Sequence, residues 1–152
     1  MTEDTLSLES FLPYRLNRLA DAVSRDFSRL YRDRYGMTRP EWRLLATLGQ
    51  YGTMTATAVG QHSSMHKTKV SRAVTALEKR RWLKREQDDG DRRVEHLSLT
   101  KGGVDAYRQI IPLALDFEDV LLAKMGARER KAMLAGLAAL EQALGKQAEP
   151  ED

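Results

Sequence analysis

Residues 91–103 have the sequence DRRVEHLSLTKGG, and this stretch decides the predicted fold. In residues 94–99, Val94, His96 and Ser98 alternate with Glu95, Leu97 and Leu99, and this two-residue period favours a β-strand. A second extended segment, Trp82–Gln87, precedes it, and the polar residues 88–93 between them contain an Asp-Gly pair that favours a turn. These features predict a β-hairpin with two arginines at its tip.

The segment immediately before the hairpin has the spacing of a helix-turn-helix unit. A short strand at Thr53–Thr55 leads into a helix over Ala56–His62, which Thr55 can cap. Ser63–Met65 form the turn, and a second helix runs from about His66 to Arg81. In such a unit the second helix enters the major groove of DNA, so its outward side chains are candidates for base contacts.

The second helix of this unit has one face of small apolar side chains and one polar face. No acidic residue lies between Gln61 and Ala76, so phosphate is not repelled there. Lysine and arginine donate to guanine acceptors and to phosphates, and hydroxyl side chains serve either role. An ordinary amphipathic helix in an all-α core is the alternative. The predicted DNA-contacting residues of this helix are His66, Lys67, Thr68, Lys69, Ser71, Arg72 and Thr75.

Positive charge is concentrated in the same region of the sequence. The whole chain of 152 residues has a formal net charge of only +3, but residues 67–85 contain eight basic residues and one acid. Residues 104–152 contain nine acids and six bases. This distribution indicates a local polyanion site on an otherwise near-neutral protein, the alternative being a solvated helix face.

The hairpin tip offers a second DNA contact. Arg92 or Arg93 could place a guanidinium in the minor groove, where narrow A·T-rich DNA has an enhanced negative potential. Asp91 could orient the neighbouring arginine through a bidentate pair. The alternative is that the Asp-Gly pair simply makes a turn and the arginines are solvated.

Long helices with apolar stripes flank this central region. The first runs from Leu8 to Tyr35 and stops at Gly36, and a capping box at Thr38–Glu41 begins the second, which ends near Gly52. Thr100 caps the fifth helix, in which Pro112 should produce a bend, and a break at Gly126 leads into the sixth. The polar tail at residues 147–152 is expected to fray. The predicted fold is mainly α with a small β-hairpin (α+β).

Composition excludes several classes of protein. There is no cysteine, so a disulfide framework, a thiolate metal site and a thiol redox sensor are excluded. No apolar run reaches membrane-spanning length, and the acidic N-terminus lacks a secretory pattern, so we expect a cytoplasmic protein. The histidines His62, His66 and His96 do not form a convincing metal site, and no catalytic constellation is present. We therefore expect no cofactor, no metal and no enzyme.

Residues 91–103 resemble the wing signature of the multiple-antibiotic-resistance regulators, the MarR family: an Asp-Arg-Arg tip, a strand that reads Leu-x-Leu-Thr, and then x-x-Gly. The stretches Lys69–Arg72 and Leu77–Arg80 are similar to that family's recognition helix, and Trp42 and Leu45 to the start of its second helix. In order of elements the resemblance extends from about residue 8 to residue 144. This sequence departs from the family pattern at Ser64, where glycine is usual, and at His66, where Asp or Ser commonly caps the helix; Ser64 is an alternative cap.

The resemblance implies a winged helix-turn-helix in the order helix–helix–strand–helix–helix–strand–strand–helix–helix. It implies one domain over residues 1–152, with dimerisation helices at 8–36 and 100–146 around a DNA-binding lobe at 38–99. A homodimer would repress transcription by placing two lobes on one pseudo-palindromic operator. Arg93 matches the family's minor-groove arginine, with Asp91 as its partner.

The resemblance also implies a small-molecule effector bound between the dimerisation helices and the lobe. Arginine beside aromatic rings suits a carboxylate on an aromatic ring. Residues 11–16, FLPYRL, resemble relatives that respond to aromatic acids or their coenzyme A thioesters. Core packing of Tyr14 and Trp42 is the alternative. The candidate effector residues are Tyr14, Arg15, Arg18, Trp42, Leu113 and Phe117.

Two other functions compete with a DNA-binding regulator. A winged-helix module could bind only proteins, but protein interfaces are depleted of lysine, which argues against that use of residues 67–85. A small enzyme would need a catalytic constellation, which we do not find in the sequence.

Overall fold

The computed structural model describes residues 4–145, so the tail predicted to fray lies outside the described residues. The order of elements predicted from the sequence is confirmed. None of the described helices combines the length and the apolar content needed to cross a membrane. The elements are α1 (Leu12–Tyr35), α2 (Arg39–Tyr51), β1 (Met54–Thr55), α3 (Ala56–Ser63), α4 (Lys67–Lys79), β2 (Leu83–Gln87), β3 (Glu95–Leu99), α5 (Lys101–Ala123) and α6 (Ala127–Ala143).

The chain divides into two compact units within α5. The first unit reaches as far as Leu113 and contains the helix-turn-helix segment and the hairpin, whereas the second begins at Ala114 and contains α6. The predicted assignment of a central lobe between dimerisation helices stays a prediction.

Helix α1 begins later than predicted. The apolar spacing continues back to Leu8, but residues 8–10 form a turn and Phe11 is the N-cap. Pro13 accounts for this start, because proline has no amide hydrogen and is accommodated only in the first turn. The predicted stop is confirmed, because Gly36 has a φ of 63° and its amide donates to the carbonyl of Arg32.

The side-chain caps predicted for α2, α3 and α5 are confirmed. Glu41 accepts from the amide of Thr38 while the Thr38 hydroxyl accepts from the amide of Glu41, which forms the capping box. The Thr55 hydroxyl accepts from the amide of Ala58 at 3.1 Å. The Thr100 hydroxyl accepts from the amide of Gly103 at 3.2 Å. These caps satisfy amides that a helix leaves unpaired in its first turn.

The three strands form one antiparallel sheet in the order β1-β3-β2. β3 lies in the centre, and Leu97 pairs with Met54 of β1 and with Arg85 of β2. Leu97 is fully buried, together with Leu45, Val59 and Leu77 from three helices. A single apolar core therefore joins the sheet to the helix-turn-helix segment.

The junction between α4 and α5 depends on a glycine. The Thr100 hydroxyl donates to the carbonyl oxygen of Arg81 at 2.6 Å, and the amide of Thr100 donates to the carbonyl of Trp82. These bonds bring the first turn of α5 so close to the chain at Trp82 that a Cβ on Gly103 would overlap the Trp82 carbonyl oxygen. This contact explains physically why glycine follows the Leu-x-Leu-Thr sequence here.

We predict that Gly103→Ala lowers the free energy of unfolding by about 1–3 kcal/mol, because the added methyl group forces the backbone apart. Gly102→Ala is the matched control, since its Cβ would meet only ordinary contacts at 3.6 Å and alanine favours helix. Urea unfolding of the three proteins measures both effects. Equal stability of the two variants would show that the junction does not require glycine at residue 103.

Candidate DNA-binding surface

Helix α4 presents its two faces as predicted. Val70, Ala73, Val74 and Leu77 are buried and pack toward α2 and α3. Each of the outward residues is exposed, so the structure brings these polar side chains together on one solvent-facing surface of the lobe. They are His66, Lys67, Thr68, Lys69, Ser71, Arg72 and Thr75.

The turn before α4 shows how the lobe tolerates the missing glycine. Ser64 adopts a left-handed conformation, with a φ of 52°, and is the C-cap of α3. His66 occupies the N-cap of α4, and its side chain makes no capping hydrogen bond. The alternative that Ser64 caps α4 is therefore wrong, because Ser64 ends the preceding helix. Gly60, which sequence reasoning did not single out, permits the turn because a Cβ there would meet the Met65 carbonyl oxygen at 3.2 Å.

At the tip of the hairpin, Asp91 holds Arg93. The guanidinium of Arg93 donates from Nε to Asp91 Oδ1 at 3.1 Å and from a terminal nitrogen to Oδ2 at 3.2 Å. The backbone amide of Arg93 also donates to Oδ1, at 3.0 Å. The hydrogen bond from the Arg93 side chain, followed by that from its amide, lowers the pKa of Asp91. The predicted bidentate pair is confirmed, although the Arg93 side chain remains 91% exposed. Arg92 is exposed as well.

A second carboxylate, Asp88, shapes the loop that carries this pair, and sequence reasoning did not identify it. Its Oδ2 accepts from the amides of Gly90 and Asp91, both at 3.0 Å, and its Oδ1 lies 2.9 Å from His96 Nε2. The hydrogen bond with His96 is the main reason that the pKa of Asp88 is lowered. An aspartate two residues before a glycine is the available sequence signal, because Asp side chains often bond to amides two residues further on.

Arg85 is not a free cation of the basic segment. Its Nε and one terminal nitrogen donate to the two carboxylate oxygens of Glu78 at 3.0 and 3.1 Å, and the other donates to Glu95 at 3.4 Å. The hydrogen bond with Glu78 is the leading reason that the pKa of Arg85 is raised. Sequence reasoning counted Arg85 only as positive charge. The sequence signal for this internal role is the spacing. Arg85 lies two residues after the buried Leu83, so both residues are on the core-facing side of β2.

The candidate effector residues are not all close together. Arg15 and Arg18 line an open cavity of about 480 Å³ along the first half of α1, and the guanidinium of Arg18 lies 5.9 Å from the ring centre of Tyr14. Trp42 instead packs edge-on against Phe27, which is about 20 Å further along α1 than Tyr14 at 1.5 Å per residue. Trp42 is thus partly buried and packs against the core, whereas Tyr14 is exposed.

The remaining two effector candidates lie on α5. Leu113 is half-buried at the end of the first compact unit, and Phe117 belongs to the second unit. A further open cavity, of about 460 Å³, lies between α3, α4 and the hairpin. Among residues 4–145 no group of three or more histidine and carboxylate side chains is arranged to hold a metal ion.

Sequence comparison identifies relatives of this chain among transcriptional regulators. Residues 35–94 match the sequence model of the MarR family. An uncharacterized HTH-type transcriptional regulator of Bacillus subtilis, YwoH, is 29% identical over 98 residues, which is 64% of this chain and 71% of YwoH. The transcriptional repressor MprA of Escherichia coli is 41% identical over 46 residues, which cover 30% of this chain and 26% of MprA.

Solved structures share the fold over most of the chain. The MarR family transcriptional regulator SPO1453 from Silicibacter pomeroyi is 26% identical and superposes with a TM-score of 0.74, covering 90% of this chain and 99% of SPO1453. BpsR of Bordetella bronchiseptica, whose DNA binding is regulated by 6-hydroxynicotinic acid, is 19% identical with a TM-score of 0.77, covering 90% and 97% of the two chains.

The family match spans the helix-turn-helix segment and the hairpin tip, which are the parts whose geometry is described above. The wing pair of Asp91 and Arg93, the exposed polar face of α4 and the structural likeness agree with it. Residues 35–94 therefore match the MarR family of transcriptional regulators, and the chain as a whole is similar to these regulators and has their winged helix-turn-helix fold.

Proposed function

We propose that this protein is a ligand-responsive repressor that binds a pseudo-palindromic DNA operator as a homodimer. The observation that carries the proposal is the pairing of two exposed basic features within one compact unit. The polar face of α4 is exposed to solvent. Beside it, the hairpin carries Arg93, whose side chain is oriented by Asp91 and remains exposed to solvent. A cytoplasmic location follows from this role, because the operator is chromosomal DNA.

Helix α4 is proposed to enter the major groove. An α-helix fits this groove, and each base pair presents a distinct set of donors and acceptors there. Lys69 and Arg72 are exposed and can donate to guanine or to phosphate, while Ser71 and Thr75 contribute hydroxyls. Thr75 donates its hydroxyl proton to the Ser71 carbonyl, which leaves the oxygen as an acceptor for a base amino group.

The hairpin is proposed to place Arg93 in the adjacent minor groove. A narrow minor groove attracts arginine electrostatically, and preorganisation by Asp91 lowers the entropy lost when the side chain inserts. The charge of Arg93 is not buried by the pair, because its side chain is almost fully exposed. Asp91 therefore aims the guanidinium and leaves it available to DNA.

Dimerisation is proposed because each compact unit carries exposed apolar residues on its helices. On α1 of the first unit, Leu12, Leu19 and Val23 are 52%, 56% and 41% exposed, although they lie on the predicted apolar stripe. Exposed apolar residues at helical spacing mark an interaction surface. In the second unit, α6 has no buried residue within its described length, and the exposed apolar residues are Leu115, Val120, Met133, Leu134, Leu137 and Leu144.

An effector is proposed to lower the affinity for DNA, as 6-hydroxynicotinic acid regulates DNA binding by BpsR. The residues proposed to bind it are those expected from the sequence, with Arg15 and Arg18 best placed for a carboxylate because they line the cavity on α1. The effector class proposed is an aromatic acid or its coenzyme A thioester. Repression is the proposed sense of regulation, since the matching segment of MprA belongs to a repressor.

The first prediction from the proposed function concerns the effect of salt on DNA binding. The protein should bind a duplex from the region upstream of its own gene, and the logarithm of the binding constant should fall linearly with the logarithm of salt concentration. Lys69→Ala should make the slope shallower by about 0.9 if Lys69 contacts one phosphate. Lys131→Ala on α6 is the charge-matched control and should keep the wild-type slope. Binding that does not respond to salt would instead favour a protein-interaction module.

The second prediction concerns the wing. Arg93→Ala should weaken binding by about 1–3 kcal/mol on operators with A·T-rich flanks and by less on G·C-rich flanks. Asp91→Asn removes a negative charge but releases Arg93, so orientation predicts weaker binding whereas net charge alone predicts tighter binding. Fluorescence anisotropy on the two duplexes measures both variants. Equal loss on the two duplexes would assign Arg93 to a phosphate contact.

The third prediction concerns assembly. Leu134→Glu should convert a dimer to a monomer at micromolar concentration, because a charge on the exposed apolar stripe of α6 opposes burial. Gln142→Glu is the control, since it adds the same charge at an exposed position outside the apolar stripe of Met133, Leu134, Leu137 and Leu144. Sedimentation velocity gives the mass of each variant. A wild-type protein that sediments as a monomer would contradict the proposed dimer.

A further inference from the structure

The sheet face that packs toward α4 ends in a charged residue. Leu83 and Arg85 lie two residues apart on β2, so they share one face of the strand. The register pairs Arg85 directly with Leu97 of β3, which is fully buried. Glu95 lies two residues before Leu97 and is therefore diagonal to Arg85 on the same face. Toward the hairpin tip, apolar packing on this face gives way to an ion-pair network.

This network joins three elements of the DNA-binding lobe. Glu78 lies in the last turn of α4, where a negative charge is disfavoured by the helix dipole and gains from a nearby cation. Arg85 supplies that cation through a bidentate fork to Glu78, and its remaining terminal nitrogen reaches Glu95 on β3. Arg85–Glu78 is the ion pair that the structure shows between α4 and the hairpin within residues 4–145.

The rest of the hairpin lies beyond this network. After Arg85, β2 continues through the exposed Glu86 and Gln87 and leads into the loop that carries Arg93. A planar guanidinium with two parallel hydrogen bonds fixes direction as well as distance, which a lysine could not do. The direction in which the hairpin leaves α4 thus depends on the Arg85 fork.

We propose that Arg85 is a positioning residue for DNA binding, which sets the hairpin against α4 so that both reach their grooves together. The proposal rests on the proposed function. Arg85 itself does not contact DNA, because its nitrogens are engaged by Glu78 and Glu95 and its charge is offset by two carboxylates. Its effect on affinity passes through the position of Arg93.

The first test is Arg85→Gln, with Arg108→Gln on α5 as a control that removes the same charge from an exposed site. On an operator duplex that the wild-type protein binds, Arg85→Gln should weaken affinity by about tenfold, a size typical of coupled neighbours. Arg85→Lys should restore only part of the loss, because lysine keeps the charge but loses the fork. An Arg85→Gln variant that binds like the Arg108→Gln control would overturn the proposal.

The second test is Glu78→Gln, which separates position from charge. This variant makes the surface more positive and releases the two Arg85 nitrogens that pair with Glu78, so a simple electrostatic role predicts tighter binding. The positioning role predicts weaker binding, since the fork is broken from its other side. Tighter or unchanged binding would overturn the proposal, and this variant also serves if Arg85→Gln lowers the melting temperature.

The third test is a double-mutant cycle with Arg93→Ala. If Arg85 acts through Arg93, the fold-loss caused by Arg93→Ala should be smaller in the Arg85→Gln background than in the wild-type background. Multiplying fold-losses would show that the two residues act independently and would overturn the proposal. Failure of the wild-type protein to bind any duplex would instead count against the proposed function, so the two failures are distinguishable.

Discussion

The burial of one face of α4 is the constraint on which the rest of the lobe depends. Val70, Ala73, Val74 and Leu77 are at most 3% exposed, so the helix can neither rotate nor shift without opening the core. Because the buried residues follow helical spacing, the opposite face is committed to solvent along its whole length. The polar side chains of α4 are therefore held in fixed positions by apolar packing, although they make few contacts of their own.

The arginines near this helix differ in what their carboxylate partners do. Asp91 holds Arg93 from one edge and leaves its side chain in solvent, whereas Glu78 and Glu95 engage Arg85 along more of its guanidinium. Isolated ion pairs at an exposed site contribute little to stability, so neither arrangement is explained by folding energy alone. Their consequence is directional, because a bidentate pair restricts where a guanidinium or a strand can point. A count of basic residues cannot distinguish a cation that is exposed to solvent from a cation that is engaged in ion pairs within the protein.

The sequence predicted features that depend on neighbouring residues. The capping box at Thr38–Glu41, the cap at Thr55 and the pair of Asp91 with Arg93 each join residues no more than three positions apart, and all are confirmed. The order of helices and strands also follows from a local pattern, the periodicity of apolar residues. The start of α1 was predicted too early because periodicity alone outweighed the local restriction imposed by Pro13.

The features that the sequence did not reveal depend on contacts between elements. Glu78 and Arg85 are seven residues apart on different elements, and Arg85 and Glu95 meet only because of the β2–β3 register. Gly103 belongs to the signature at residues 91–103, but no local pattern indicates why glycine is needed there, which is that α5 approaches the chain closely at Trp82. The two parts of the hairpin therefore depend on different contacts. Its tip is determined by adjacent residues, whereas its attachment to α4 is determined by strand register and by contacts between elements. In the proposed function two grooves are reached at once, so the attachment to α4 matters as much as the tip, and a local signature by itself does not guarantee DNA binding.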